Sequence, residues 1–386
     1  MKSISEARKA QSLIRLGVFL ITAALIASMA GCTGDGPTPS QNLEIRTWYD
    51  LDAVRDNLAG HHKLMNHLDS TTPGYTELAG AMANQGQGWQ PIGAVAIQGD
   101  WFTGSLDGQE YEIRDLFINR PDETRVGLFC FVYEGGVIKN LGVTNVTMIC
   151  RGMSGGLVGQ NGGVDESNNL YAGTISNSYF SGNVTGDAYV GGLVGISFGT
   201  VNNCYVESNV TCEVYVGGLI GANMGTVSKC YSTGSVTGNS SVGGLVGQNG
   251  LVTSNRYPGT VRDSYSTASV TGEAGVGGLV GFNWDSVVSN SYSTGTVTGN
   301  SSVGGLVGIN WEGTGTVSNS FWDTETSGQS TSDGGTGKTT AEMQDVTTFS
   351  GAGWDIIGVA LNETSPMYIW NIVNNVTYPF FSWQAL

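Results

Sequence analysis

Apolar residues recur along most of this chain in short pieces that Gly, Asn and Ser turns separate. A pentapeptide of the form Gly-Gly-Leu-(Val/Ile)-Gly occurs six times, beginning at Gly155, Gly191, Gly217, Gly243, Gly277 and Gly304. A Val/Ile-x-x-(Cys/Ser)-(Tyr/Phe) element follows each copy, with its aromatic residue at Tyr179, Tyr205, Tyr231, Tyr265, Tyr292 and Phe321. Each repeat predicts three short strands, as in Val242-Gly-Gly-Leu-Val, Thr226-Val-Ser-Lys-Cys-Tyr and Gly234-Ser-Val-Thr.

The length differences between repeats are confined to one segment of the unit. From the aromatic residue to the next Gly-Gly pair the distance is always 12 residues, whereas from Gly-Gly to the aromatic residue it ranges from 14 to 24. Constant strands with insertions at one corner are typical of solenoids, in which each repeat stacks on the next. The sequence therefore predicts an all-β protein, a right-handed parallel β-helix (β-solenoid).

Stacking of the repeats places equivalent residues above one another at about 4.8 Å. We expect two internal ladders, one of leucines and one of valines: Leu157, Leu193, Leu219, Leu245, Leu279 and Leu306, and Val184, Val210, Val236, Val270 and Val297. A WD-type propeller is the alternative, but it requires longer repeats with four strands per blade.

Short helices are predicted to cap both ends of the stack. Trp48 to Leu58 has helical spacing, and Thr339-Thr-Ala-Glu342 is typical of a capping box at a helix start. Open end coils aggregate unless they are covered, so such caps are expected in a solenoid.

The first 31 residues are predicted to be a signal peptide. A basic start is followed by the apolar run Leu16 to Ala30, which is shorter than the about 20 residues of a transmembrane helix. Met29-Ala30-Gly31-Cys32 resembles the lipobox of bacterial lipoproteins, which implies acylation of Cys32 and a membrane attachment through this lipid. A plainly cleaved secreted protein and an uncleaved anchor are the alternatives. Residues 32–43 would form a flexible tether.

The repeats resemble the GLUG motif, named for its Gly-Leu-any-Gly core. The similarity rests on Val-Gly-Gly-Leu-Val-Gly and on Tyr-Ser-Thr-Gly-x-Val-Thr-Gly, which stands at Tyr231 to Gly238 and at Tyr292 to Gly299. The resemblance implies a bacterial or archaeal surface protein of adhesin-like type; in some IgA-cleaving metalloproteases such repeats form the non-catalytic part.

The resemblance extends over residues 44 to 386 and suggests a division of the chain. It comprises an N-terminal cap with the first strands (44–88), the leading coils of the β-helix (89–153), six GLUG-type repeats (154–326) and a C-terminal cap (327–386).

Composition and charge narrow the possible partners. The chain has 60 glycines, only 12% charged residues and a net charge of -16, which becomes -19 without residues 1–31. Such a negative chain is not expected to bind nucleic acid. The five cysteines beyond Cys32 are too few and odd in number for a disulfide scaffold.

Catalytic motifs are missing from the sequence. No His-Glu-x-x-His occurs, so protease activity is not expected. The only histidines, His61, His62 and His67, lack a Cys or carboxylate spaced to complete a zinc site, and we interpret them as surface residues of the first strand. Residues 151–326 contain four Lys/Arg and scattered acids, with no recognisable acid/base pair. We expect no enzyme activity, metal or cofactor; a β-helical polysaccharide-active enzyme is the alternative.

One repeat position forms a candidate acidic turn column. Four residues before the Gly-Gly pairs stand Asp187, Glu213 and Glu273, with Asn239 and Asn300 in the other two copies. The simplest interpretation is a polar turn. The functional alternative is a ladder that binds Ca²⁺ or sugar hydroxyls, because neighbouring carboxylates repel unless they are solvated or bridged.

A second position forms a candidate ligand-contact column at the variable corner. It contains Phe198, Met224, Trp284 and Trp311, and we add Tyr171 and Tyr257 from the two insertion loops. The aromatic rings in this column could stack on sugars or anchor a partner. Stacking between neighbouring coils, or cover for the coil end, is the alternative.

Cys204 and Cys230 occupy the same repeat position one coil apart. Their expected separation is compatible with a disulfide, but parallel side-chain directions favour two packed thiols.

These observations together predict a passive binding or adhesion module at the cell surface, with a protein or glycan ligand. The protein is expected to be a monomer, lipid-anchored outside the cytoplasm or secreted. A ligand-free structural spacer of the cell envelope is a further alternative.

Overall fold

The computed structural model describes residues 42–93, 100–165, 167–252, 256–311 and 315–384. The predicted signal peptide, Cys32 and almost all of the predicted tether lie outside the described residues. Within them the chain is mostly β-strand with a few short helices, and three parallel sheets stack around a common interior. The parallel β-helix predicted from the repeats is confirmed.

One coil contains four strands rather than three. In a representative coil they are Thr226–Ser228, Tyr231–Thr237, Ser240–Gly243 and Val246–Asn249. The chain turns at Lys229, whose φ is 53°, and bends again at Gly244 and Leu245. Two of the predicted strands were therefore wrong in extent, since each runs across a corner. The apolar pattern continues through these corners because side chains on both sides of them enter the interior.

The first and third sheets are regular stacks of one strand per coil. Sheet I consists of Glu44–Ile45, His61–Leu64, Ser105–Asp107, Val137–Lys139, Thr174–Ser176, Thr200–Asn202, Thr226–Ser228, Thr260–Arg262, Val287–Ser289 and Thr316–Ser318. Sheet III consists of Phe129–Val132, Val158–Asn161, Val194–Ser197, Ile220–Asn223, Val246–Asn249, Val280–Asn283 and Val307–Asn310.

Sheet II receives more than one strand from most coils. Its strands are Glu112–Arg114, Phe117–Thr124, Gly142–Gly155, Tyr179–Thr185, Ala188–Gly191, Tyr205–Thr211, Val214–Gly217, Tyr231–Thr237, Ser240–Gly243, Tyr265–Ser266, Ser269–Thr271, Ala274–Gly277, Tyr292–Ser293, Val297–Thr298, Ser301–Gly304, Phe321–Asp323 and Thr336–Lys338. All of its pairings are parallel, and those between repeats join equivalent positions, for example Tyr205 with Tyr231 and Val210 with Val236.

The remaining elements are short. Two hairpins pair Gly163–Val164 with Leu170–Tyr171 and Leu251–Val252 with Arg256–Tyr257, and a terminal sheet contains Ile356–Gly358, Trp370–Ile372 and Phe380–Phe381. The helices are Trp48–Asp52, Tyr75–Leu78, Thr324–Ser327, Thr340–Met343 and Val346–Ser350, with 3-10 turns at Ala53–Asp56 and Ala83–Gly86.

The two predicted ladders form the core. All six leucines of the pentapeptide are 0% exposed, and the five valines of the second ladder are at most 2% exposed. Each coil alone is too thin to bury these side chains, so the stack of coils provides the hydrophobic stabilisation.

A third internal ladder is polar and was not predicted. Asn223, Asn249 and Asn283 are completely buried at the end of sheet III. The Nδ2 of each donates to the Oδ1 of the asparagine one coil further on, at 2.8 Å in every case, the last acceptor being Asn310. This ladder satisfies buried amides at the point where the chain leaves the sheet.

The predicted helix starts are present at both ends. Thr339 and Glu342 form the reciprocal capping box expected there. A second capping box, between Thr47 and Asp50, begins the helix Trp48–Asp52. Ser332 Oγ accepts from the backbone of Leu306 and Val307, and Asp333 accepts from Asn310 N. These contacts block the open edge of the last sheet III strand.

The C-terminal residues 344–384, here named the strap, lie along the side of the β-helix. Tyr179, Tyr205, Tyr231, Tyr265 and Tyr292 stack on the outside of sheet II, with ring centroids 4.8–4.9 Å apart. The strap covers the later rings of this column through Trp354, Trp370, Phe381 and Trp383. It therefore does more than plug an end coil.

The histidines are only partly surface residues, which corrects the interpretation from the sequence. His61 is exposed, but His62 is buried and its Nε2 lies 2.9 Å from the carbonyl oxygen of Asn57. Burial lowers the pKa of His62. His67 Nδ1 accepts from Glu112 N at 3.0 Å. The three side chains serve separate structural contacts.

Candidate functional site

The variable corner follows sheet III, and in the part of the chain that the structure describes two coils carry a hairpin there. Both hairpins are preceded by Gly-Gln-Asn-Gly, at Gly159 to Gly162 and at Gly247 to Gly250. The last glycine has φ of 76° and 84°, and the glutamine side chain donates to its carbonyl oxygen at 3.0 Å and 2.9 Å respectively. The left-handed glycine redirects the chain outward, and the glutamine holds the new direction.

The two hairpins contact each other across the two coils between them. Tyr257 Oη donates to Asn168 Oδ1 at 3.0 Å, and the Tyr257 ring meets Phe198 edge-on at 5.9 Å. Met224 is only 5% exposed and belongs to the same apolar cluster as Tyr189 and Ile196. In this section the predicted contact residues Phe198, Met224 and Tyr257 pack within the protein.

Trp284 and Trp311 lie beyond the second hairpin. Their rings stack with centroids 4.5 Å apart and planes 10° from parallel, and Phe282 packs against both. Trp311 is 36% exposed. Because each ring uses one face on the other, only part of the surface of the two rings is left for a ligand.

Tyr171 lies in a third section of the variable corner, nearer the N-terminal end of the β-helix. Its ring stacks on Tyr133 at 4.9 Å, and its hydroxyl donates to Asp165 Oδ2 at 3.0 Å. Tyr133 in turn contacts Trp101 at 4.5 Å. Burial, followed by the neighbouring Tyr171, raises the pKa of Tyr133 to about 12. The six predicted residues thus fall into three separate groups rather than one continuous surface.

The acidic turn column is in register but dispersed. Asp187, Glu213 and Glu273 are all exposed. Glu213 N donates to Asp187 O at 3.1 Å, and Asn239 separates Glu213 from Glu273 in the same column. Among the described residues, no group of three or more His, Cys, Asp or Glu side chains is placed to hold a metal ion. The three acidic residues lie at exposed bends of the chain, and their binding of Ca²⁺ or sugar hydroxyls stays a prediction.

Cys204 and Cys230 are completely buried free thiols. The backbone N–H of Cys204 donates to Cys230 Sγ at 3.4 Å, and each Sγ donates to a backbone oxygen two residues earlier. The expectation of packed thiols is confirmed.

Two exposed features were missed by sequence reasoning. Trp383 is 43% exposed and stacks on Phe381 at 5.2 Å, where the strap passes Tyr205. A cleft near Asp115 and Asn145 lies between the N-terminal cap and the leading coils. Neither feature belongs to a repeated position, so periodicity gave no signal for them.

Comparison with known proteins identifies the repeats. The GLUG motif matches residues 213–237, 238–271 and 272–298. Halomucin of Haloquadratum walsbyi is 34% identical over 163 residues, which cover 42% of this chain and 2% of halomucin. A "Putative Gly-rich membrane protein" of Evansella cellulosilytica is 35% identical over 191 residues, 42% of this chain and 20% of that protein.

The matched relatives are much longer than the matched region. The chain spans about a fiftieth of halomucin and a fifth of the Gly-rich protein. Among solved structures, an IgA1 protease aligns over 72% of this chain and 21% of its own, with 13% identity and a TM-score of 0.47. No helix in the described part of the chain is long and apolar enough to cross a membrane. The chain thus contains GLUG motif repeats, and the matched repeats form successive coils of its β-helix.

Proposed function

We propose that the protein is a passive binding or adhesion module outside the cytoplasm, tethered to a membrane through acylated Cys32. Its ligand would be a glycan or a surface protein. Two relatives that share the repeats, halomucin and a protein described as a membrane protein, support a location at the cell surface.

The observation that carries the proposal is the Trp284–Trp311 pair. Trp311 is 36% exposed, and the pair lies beyond the second hairpin, whose Arg256 reaches the same coil through an ion pair with Asp285. Partly exposed tryptophans are common anchors in binding surfaces, because a large ring gains contact area with little loss of side-chain freedom. The rigid stack of coils fixes their position before any ligand binds.

Binding of the full chain to a glycan array and to immobilised surface proteins tests this proposal. We expect at least one ligand, and its binding should be lost in the Trp284→Ala/Trp311→Ala double variant. Trp383→Ala is the matched control, since Trp383 is similarly exposed but lies on the strap.

Three results would contradict the proposal. Absence of any ligand would favour the structural spacer. Cleavage of a polysaccharide in an activity screen would favour the enzyme. Equal loss of binding in the Trp383→Ala control would remove the assignment to the tryptophan pair.

A further inference from the structure

A cleft of about 350 Å³ lies where the N-terminal cap meets the leading coils. One wall comes from the cap, with Ser70, Tyr75 and Ala81, and the other from the outer side of sheet II, with Phe117 and Thr147. Ser70, Ala81 and Thr147 are exposed, so the cleft is open to solvent. Its volume lies within the range of small-molecule sites in proteins.

A fixed carboxylate occupies this cleft. Asp115 Oδ2 accepts from Ser70 N at 3.1 Å, and Asp115 Oδ1 accepts from Asn145 Nδ2 at 2.6 Å. Tyr75 Oη donates to the Asp115 carbonyl oxygen at 2.8 Å. The amide of Asn145 is the largest of the causes that lower the pKa of Asp115. The group is therefore an oriented hydrogen-bond acceptor at neutral pH.

The backbone is irregular at this point, in contrast to the regular repeats that follow. Thr144 and Asn145 together oppose the single residue Ser181, which makes a bulge in the sheet II pairing. Asp115 and Asn145 both have left-handed backbones, with φ of 62° and 54°. The bulge is what brings the Asn145 side chain to Asp115.

The chemistry of the lining defines the class of ligand. Hydroxyl groups of Ser70 and Thr147, the Asp115 carboxylate and the Asn145 amide lie beside the rings of Tyr75 and Phe117. Of the described residues that line the cleft, none is Lys, Arg or His, so a phosphate or uronate would find no counter-charge. Rings next to hydrogen-bonding groups match the apolar face and the hydroxyls of a neutral sugar.

We infer that this cleft binds a neutral pyranose unit of a glycan, oriented by the Asp115–Asn145 pair. The site is separate from Trp284 and Trp311, so the inference stands or falls independently of the function proposed above.

Saturation-transfer NMR of the full chain with the methyl glycosides of glucose, galactose and mannose tests the inference. Glucuronate and glucosamine serve as charged comparisons. Ala81→Trp should fill the cleft and weaken binding at least about tenfold, because the ligand is excluded sterically. Met82→Trp is the matched control, because Met82 is the next residue, is 84% exposed and does not line the cleft.

A second pair of variants keeps the test decisive if Ala81→Trp fails to fold. Thr147→Val removes one lining hydroxyl and should weaken binding, whereas Thr211→Val, also at an exposed position further along the same sheet, should not. The inference is overturned if no neutral glycoside gives a signal, or if Ala81→Trp folds and binds normally. It is also overturned if glucuronate or glucosamine binds more tightly than every neutral sugar. Persistence of cleft binding in the Trp284→Ala/Trp311→Ala variant separates this result from that of the proposed function.

Discussion

At the residue scale, asparagine has two roles in this β-helix. Buried asparagines at the end of sheet III bond to one another from coil to coil. Other asparagines, such as Asn177 and Asn203, take left-handed backbones at the corner between sheets I and II, with φ of 48° and 52°. Asparagine suits both places because it tolerates this backbone and carries both a donor and an acceptor.

Replacing Asn249 by alanine tests the buried ladder. Asn249 accepts from Asn223 and donates to Asn283, so Asn249→Ala removes both of these short buried hydrogen bonds. It also removes the bond from Asn249 to the Val287 carbonyl oxygen. We expect the free energy of unfolding to fall by about 2–4 kcal/mol, measured by urea denaturation.

Asn209 provides the matched control for this experiment. It takes part in a similar ladder, donating to Asn183 Oδ1 at 3.0 Å, but it is exposed to water. Asn209→Ala should lower the free energy of unfolding by less than about 1 kcal/mol, because water replaces the lost hydrogen-bond partners. Equal costs at the two positions would show that burial does not give the ladder its strength.

At the element scale, the Gly-Gly corner decides how closely coils stack. A Cβ atom on Gly244 would overlap the carbonyl oxygen of Gly278 in the next coil and the hydroxyl of Ser266. The repeated glycines therefore serve close approach between coils as much as turning. The Gly-Gln-Asn-Gly sequence marks a different event at the next corner, where the chain leaves the coil to form a hairpin.

Gly244→Ala is expected to destabilise the protein by about 3 kcal/mol, because the added methyl group clashes with backbone that cannot move aside. Gly358→Ala is the control, since no atom lies within 4 Å of its added Cβ. The change in the thermal unfolding midpoint measures both. A Gly244→Ala variant as stable as the control would mean that the coils can separate without cost.

At the scale of the whole molecule, segments outside the regular coils determine which surfaces remain open. The strap covers Tyr265 and Tyr292, which are 6% and 1% exposed, and the hairpins cover Met224. The Trp284–Trp311 pair and the Asp115 cleft stay accessible. The exposed surface is thus mostly set by these additions to the repeat.

Buried thiols distributed through the molecule predict a loss of stability at alkaline pH. Burial raises the pKa of Cys130 and Cys212 to about 12 and that of Cys150 to about 11. Unfolded cysteine releases its proton near pH 8.5. The folded chain therefore binds more protons between these values, and its stability falls as pH rises from about 9 towards 11.

Urea denaturation at a series of pH values measures this effect. Cys212→Gly places a glycine where the next coil also has one, Gly238. In this variant the free energy of unfolding should fall less steeply with pH above pH 9. A slope that is unchanged in this variant, or stability that is constant up to pH 11, would contradict the assignment to buried thiols.

Much of the β-helix could be predicted from the sequence because equivalent residues of successive repeats occupy the same structural environment. Leu219 and Val236 each belong to a ladder of equivalent buried residues that recurs from repeat to repeat. The constant spacing from the aromatic residue to the next Gly-Gly pair, as from Tyr205 to Gly217, predicted which residues stack on one another. The exact strand ends were missed at Lys229 and Gly244, because inward-facing side chains continue through the corners.

The candidate site was less predictable because it depends on contacts between segments distant in the chain. Sequence spacing put Phe198, Met224, Trp284 and Trp311 in one column. Only the folded chain decides that Tyr257 reaches Asn168, 89 residues away, and covers the first two, while the tryptophans remain partly open. The Asp115 cleft likewise forms where the cap meets the coils. The sequence by itself determined the repeating scaffold through local periodicity, and the tertiary structure decided which of its side chains can meet a ligand.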